Sequence, residues 1–205
     1  MNRRARTALV VATGAQRLLE LRISARNRAR QGPAEQASPS TYPLMVAAHV
    51  ALFVISAWPR SGRRVPRLIE VVALGGLAAS TALRLWVIRS LGSGWNVTAH
   101  VAPGSHIQTD GPYRYVRHPN YVAVALEFAS LPIAVGAFPE ALALSVANAA
   151  VLIPRIRAEE RLLDGLPGYH EAFDGVPRFV PRRGRRSRQI PASSSQSRGV
   201  MSRNR

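Results

Sequence analysis

The chain has 205 residues, 47% of them hydrophobic, with a formal net charge of +17 and no cysteine. The missing thiols exclude disulfides, thiolate metal sites and cysteine nucleophiles. All 28 basic residues are arginine, eight before residue 31 and nine after residue 177, and apolar blocks fill the space between. That alternation argues against a soluble basic protein and for a membrane-embedded one.

The first apolar block lies near residues 7–23. Arginines followed by a short apolar core have the form of a signal peptide. The helical spacing nevertheless continues through Leu18, Leu19, Leu21 and Ile23, which predicts a retained, weakly apolar span. Residues 24–41 read as a polar connector. The block at 43–58 is short for a span and is bracketed by Tyr42 and Trp58 as interfacial aromatics. A basic loop at 60–67 leads to the block at 68–91, long enough to cross with tilt. Gly75 and Gly76 in its middle are predicted to permit close helix packing.

Residues 92–120 are the longest polar stretch inside the chain and hold Trp95, Asn96, His100, His106 and Asp110. Stretches of that length are functional or disordered, and turn chemistry at Pro103-Gly104 and Gly111-Pro112 favours function. Spans at 121–138 and 140–154 follow, and the tight Phe138-Pro139-Glu140 connection predicts a helical hairpin. A charged helix end and a short amphipathic ending come next. Residues 182–205, rich in arginine and serine, are predicted to be disordered.

The expected fold is all-α, an integral membrane bundle of about five transmembrane helices within residues 1–181. With the C-terminus in the cytoplasm, the inward segments carry 19 arginines against 7 outward. The positive-inside bias then puts residues 111–121 on the cytoplasmic side, for a protein of the bacterial cytoplasmic membrane.

Gly111 to Tyr121 reads G-P-Y-R-Y-V-R-H-P-N-Y and runs straight into an apolar helix. Pro119 has no backbone N–H to donate, so it suits a first helical position. Arg117, His118 and Tyr121 then stand at a helix mouth, where unpaired N–H groups favour an anion. Glu127 follows inside the helix. An ionisable group in a span is a functional candidate by default, with an internal salt bridge to Arg84 or Arg117 as the plainer reading. A second cluster, Arg155, Arg157, Glu159 and Glu160, closes the last span. Arg155 and Glu159 are four apart and can pair, although such charges more commonly form a solvated helix end.

These two segments, with R-I-R-A-E-E-R-L-L at 155–163 and G-Y-H-E-A-F at 168–173, resemble the isoprenylcysteine carboxyl methyltransferase family and related bacterial membrane methyltransferases. The resemblance is strongest over residues 84–180. T-Y-P-L-M-V-A-A-H and R-L-W-V-I-R-S-L-G-S-G-W-N are also similar to bacterial members associated with polyketide phenolic lipids.

It implies S-adenosylmethionine as cofactor, held by Tyr113, Arg117, His118, Pro119, Tyr121 and Glu159. Arg155 and Glu160 would stand near the reacting centre, and Glu127 and Arg84 toward the substrate. Ala123 departs from the family's usual glycine. The implied reaction is methylation of an oxygen, carboxylate or acidic hydroxyl, on a lipophilic acceptor from the bilayer, such as an isoprenylcysteine-like or alkylpyrone or alkylresorcinol lipid.

The residue types suit that chemistry. In-line methyl transfer depends on positioning and needs no metal, and a sulfonium can rest on tyrosine faces. Arg117, His118 and the helix mouth suit a carboxylate, Arg155 suits an acidic nucleophile, and the hairpin would wall an apolar tunnel. Steroid-type, NADPH-dependent membrane reductases share the R-H-P-N-Y motif. Their glutamate, however, follows the tyrosine more closely than Glu127, six residues after Tyr121. A non-enzymatic membrane protein, its arginines drawn to anionic lipid, leaves the central motif unexplained. No specific nucleic acid is expected as a partner.

Overall fold

The computed structural model describes residues 1–31, 35–36, 41–58, 65–98, 100–101 and 107–181. Its helices are α1 (Arg3–Gln31), α2 (Tyr42–Ala57), α3 (Arg67–Leu91), α4 (Pro119–Ala134), α5 (Phe138–Asp164) and the short α6 (Tyr169–Ala172). The extended pairing among the described residues is slight. β1 (Glu35–Gln36) lies antiparallel to β2 (His100–Val101) and joins the segment after α1 to the loop after α3. The fold is the expected helical membrane bundle. The tail at 182–205, the loop arginines Arg60, Arg63 and Arg64, and His106 lie outside the described residues.

Two helical stretches, Arg67–Gly94 and Phe138–Asp164, are long and apolar enough to cross a membrane, and α2 is a shorter apolar helix. The side-chain arrangement of α1 agrees with an apolar surrounding. Val11 is 63% exposed and Leu18 62%, while Thr13, Glu20, Ser24 and Asn27 are buried. Water would favour the reverse arrangement, because burying unpaired polar groups is costly and exposing apolar ones gains nothing. With hydrocarbon outside, the polar side turns inward, where protein partners satisfy it.

α4 is the centre of the bundle and packs most extensively on α3 and α5. Tyr121, Val124, Phe128 and Leu131 on it are all buried. Contact between α3 and α4 is close. A Cβ on Gly76 would run into the Ser130 hydroxyl, whereas one on Gly75 would meet open space. Gly76 alone therefore has the packing role predicted for the pair. Nearby, Ser80 Oγ donates to the Ala123 carbonyl at 2.7 Å.

Three boundaries differ from the sequence-based expectation, each for a local reason. α1 runs through Gln31 instead of giving way to a connector at 24, because Ser24, Asn27 and Gln31 all bond to the segment after α3. α4 ends at Ala134, not 138: Gly136 has a φ of +84° and the Ala137 N–H donates back to Pro132 O at 2.8 Å. Phe138, Pro139 and Glu140 are consequently the first turn of α5, a position that suits a proline. α5 itself continues past 154 to Asp164, carrying the charged cluster on one unbroken element.

Candidate cofactor cleft

The motif between α3 and α4 is held from two sides. Gly111 has a φ of +64°, and a Cβ there would collide with Ser90, so only glycine lets the turn at Gly111–Arg114 settle on the end of α3. On the other side the chain returns after α6. The Arg117 N–H donates to Pro177 O at 2.9 Å and the His118 N–H to Arg178 O at 3.0 Å. These bonds occupy part of the helix mouth and do not involve the Asn120 and Tyr121 amides of the first turn of α4. Two of its amides are taken by the returning chain, Pro119 has none, and the Val122 N–H bonds to His118 O at 3.3 Å.

From this frame the side chains of the two segments meet. Tyr121 Oη donates to the Glu159 carboxylate and accepts from Arg155 Nε at 3.2 Å. Arg155 Nη2 donates to the Val97 carbonyl at 2.6 Å. The expected Arg155–Glu159 pairing is thus bridged by a tyrosine hydroxyl. Behind it, His118 Nε2 lies 3.0 Å from Glu160 Oε1, and Arg178 Nη2 donates to Glu160 Oε2 at 2.8 Å. The His118 ring is also flanked by Tyr121 and Phe179, with centroids 5.7 and 5.8 Å away.

All six residues predicted to hold the cofactor, Tyr113, Arg117, His118, Pro119, Tyr121 and Glu159, line one cleft of about 70 Å³ together with Arg155. Val87, Leu91, Trp95 and Val97 form its apolar side. That side comes from the end of α3 and the segment after it, whereas the α4–α5 turn lies at the far end of both helices. Arg117 also borders a larger groove of about 590 Å³ formed with Tyr169, His170 and residues 173–178. Its Nε is buried without a hydrogen-bond partner. Ala123 is fully buried between α3 and α4 and does not line the cleft, so its departure from glycine leaves the cleft wall unchanged.

Glu160 lies one bond behind the cleft, through His118. Burial pushes its carboxyl upward, but the hydrogen bond and charge of His118, with those of Arg178, hold it below the usual range. Burial pushes the Tyr113 hydroxyl well up, reinforced by the negative charge of Glu159.

Arg84 and Glu127 are elsewhere, in a separate ionic quartet with two residues that sequence reasoning passed over, Arg17 and Glu20. Arg17 donates through Nε to Glu127 at 3.0 Å and through Nη1 to Glu20 at 2.5 Å. Arg84 lies 3.7 Å from Glu20 and 3.5 Å from Glu127. Of the two salt bridges considered for Glu127, the one to Arg84 forms. The quartet touches the cleft indirectly, through Arg84 Nη1 and Asn120 Oδ1 at 3.2 Å. Two positive and two negative charges on weakly or strongly apolar segments were the available signal. Nothing in the spacing told which would meet.

The chain is a helical membrane bundle with a polar cleft at one end of its central helix. Residues 71–165 match the sequence profile of the isoprenylcysteine carboxyl methyltransferase family. Uncharacterized protein YpbQ of Bacillus subtilis (strain 168) is 29% identical over 151 residues, covering 72% of this chain and 90% of that protein. The cobalt-zinc-cadmium resistance protein CzcN of Cupriavidus metallidurans is 32% identical over 136 residues, covering 64% of this chain and 56% of that protein. The family so matched is one of S-adenosylmethionine-dependent methyltransferases acting on lipid-related substrates.

Proposed function

We propose that the cleft binds S-adenosylmethionine and that the chain methylates an acidic oxygen, carboxylate or hydroxyl, of a lipophilic acceptor reached from the bilayer. The observation that carries this reading is the convergence of Arg117, His118 and Tyr121 with Arg155 and Glu159 on a single cleft. The donor set fits the cofactor. Arg117, with its unpartnered buried Nε, suits the carboxylate. The Tyr113 and Tyr121 rings suit a sulfonium. The groove beyond Arg117 gives room for the nucleoside that a cleft of about 70 Å³ lacks.

When bound, S-adenosylmethionine supplies an electrophilic methyl group. The protein's own part is orientation. Arg155 holds the acceptor oxygen as an anion, anchored from behind by Val97 and aligned by Tyr121. Glu159, reached through the Tyr121 hydroxyl, takes the proton when the acceptor is a hydroxyl. Glu160 positions His118 rather than touching the reacting atoms. The apolar tail lies along Val87, Leu91 and Trp95. Arginine asymmetry supports a cytoplasmic cleft in the bacterial membrane and contacts between the arginine segments and anionic lipid.

The test is equilibrium binding to the full chain in detergent, with S-adenosylmethionine and NADPH compared side by side. Saturable binding of the first, weakened about tenfold or more by Arg117→Ala, is expected for the loss of a charged contact. Binding of NADPH with none of S-adenosylmethionine overturns the reading in favour of a reductase. Lipid extracts incubated with a labelled methyl donor then identify the acceptor by mass spectrometry.

A further inference from the structure

The inward side of α1 follows a three-four spacing, Thr13, Arg17, Glu20, Ser24, Asn27 and Gln31, and its lower half ends on the segment that lines the cleft. Ser24, 1% exposed, donates from Oγ to Asn96 Oδ1 and accepts from the Val97 N–H, both at 3.1 Å. Asn27 donates to the carbonyls of Trp95 at 2.8 Å and Gly92 at 3.1 Å. Gln31 accepts from Asn96 at 2.7 Å and donates to Ser93 O. Val97 is thus held through its N–H by α1 and holds, through its carbonyl, Arg155 Nη2. α1 lies wholly outside the stretch that matches the family profile.

We infer that α1 is a positioning element of the cleft, in which Ser24 and Asn27 fix Trp95–Val97 and, through the Val97 carbonyl, set the guanidinium of Arg155. Among the described residues Arg155 has two hydrogen-bond anchors, the Val97 carbonyl and the Tyr121 hydroxyl. Both anchors line the cleft, and Val97 is the one that α1 holds from outside it. A polar stripe on a helix bordered by lipid then has a purpose besides its own satisfaction. Neither Ser24 nor Asn27 lines the cleft.

The activity arm of the test rests on the methyltransferase reading; the exchange arm does not. In the full chain in detergent, Ser24→Ala is expected to raise hydrogen exchange at the Val97 amide about tenfold while α3 and α4 amides are unchanged, because one specific acceptor is lost. The variant should lower kcat/KM for the acceptor about tenfold and leave the Kd for S-adenosylmethionine within about twofold. In an Arg155→Lys background, Ser24→Ala should add little further loss, since contacts acting through one residue are not additive. Full additivity in that background, or unchanged Val97 exchange, overturns the inference. Asn27→Ala serves as the second variant if Ser24→Ala does not fold, read at the Trp95–Val97 amides in the same way. A wild-type chain that binds no S-adenosylmethionine sinks the methyltransferase reading, while the exchange result still decides whether α1 holds Val97.

Discussion

Two buried clusters of charge among the described residues differ in what they face. The quartet of Arg17, Glu20, Arg84 and Glu127 joins α1, α3 and α4, is balanced in charge, and contributes none of its four residues to the cleft wall. The second cluster joins the start of α4 to the end of α5, and its Arg155, Tyr121, Glu159 and His118 all line the cleft. Burying ionisable groups is costly in either place and tolerable only with partners. In the quartet the partners are one another. At the cleft they leave a wall of oriented groups, while unsatisfied buried nitrogens occur in both places, Arg117 Nε here and Arg84 Nε and Nη2 in the quartet. Being buried and ionisable therefore does not distinguish a site; an adjoining cavity does.

The largest expected effect lies in the quartet. Arg17→Ala leaves Glu127 and Glu20 without their nearest cation and should destabilise the chain by about 3–5 kcal/mol, read from unfolding in detergent. Replacing Arg17 and Glu127 together by methionine keeps the remaining Arg84 and Glu20 balanced and should recover most of that loss. A single variant as stable as the wild type would mean that the quartet is not closed, and the contrast with the cleft would fail.

A smaller effect separates the clusters by pH. The Glu160 carboxyl is held below its ordinary value of 4.5 by His118 and Arg178. A group depressed in the folded state contributes stability that is fully present above the unfolded pKa and is lost as pH falls through the folded one. The attachment of Pro177–Arg178 to Arg117–His118 should accordingly persist at pH 4.5 and weaken below it. Arg178→Ala removes one of the lowering contacts and should move the transition upward. Carboxyl-carbon titration of Glu160 by NMR checks both, and an unshifted transition in the variant would separate Glu160 from the returning chain.

Much of the cleft was legible in the sequence because its chemistry is concentrated in two short, adjacent-in-space segments. Six residues around Arg117–Tyr121 and Glu159 were predicted to share a site, and they line one cleft. The fold class was equally legible, since apolar blocks of span length leave few alternatives. What escaped was the identity of partners across the bundle. Glu127 read as a functional candidate because nothing local assigned it to Arg17, 110 residues earlier. α1 read as a weak span because Leu18, Leu19, Leu21 and Ile23 drew notice, yet they face outward. Its polar stripe, the informative part, gains meaning only from residues 92–98. The returning chain at Pro177–Arg178 escaped too, since backbone bonds leave no mark on residue type.

The smallest effect concerns the packing that carries both clusters, the α3–α4 contact, and again opposes two neighbours. Gly75→Ala places a methyl group in open space and should stabilise α3 by about 0.5–1 kcal/mol through helix propensity alone. Gly76→Ala carries the same propensity gain but drives its methyl into the Ser130 hydroxyl. Overpacking costs about 1–3 kcal/mol, and rotation of the serine keeps the expected net loss near 1 kcal/mol. Removing that hydroxyl should reverse the sign: in a Ser130→Ala background the next nearest atom, Ser130 Cβ, is 3.4 Å away, an ordinary contact. Unfolding measurements on the two single variants and on the Gly76→Ala, Ser130→Ala pair read this directly. Equal behaviour of the two glycines would mean that α3 and α4 are held apart, and with them the Ser80–Ala123 bond and the Arg84–Asn120 link from the quartet to the cleft.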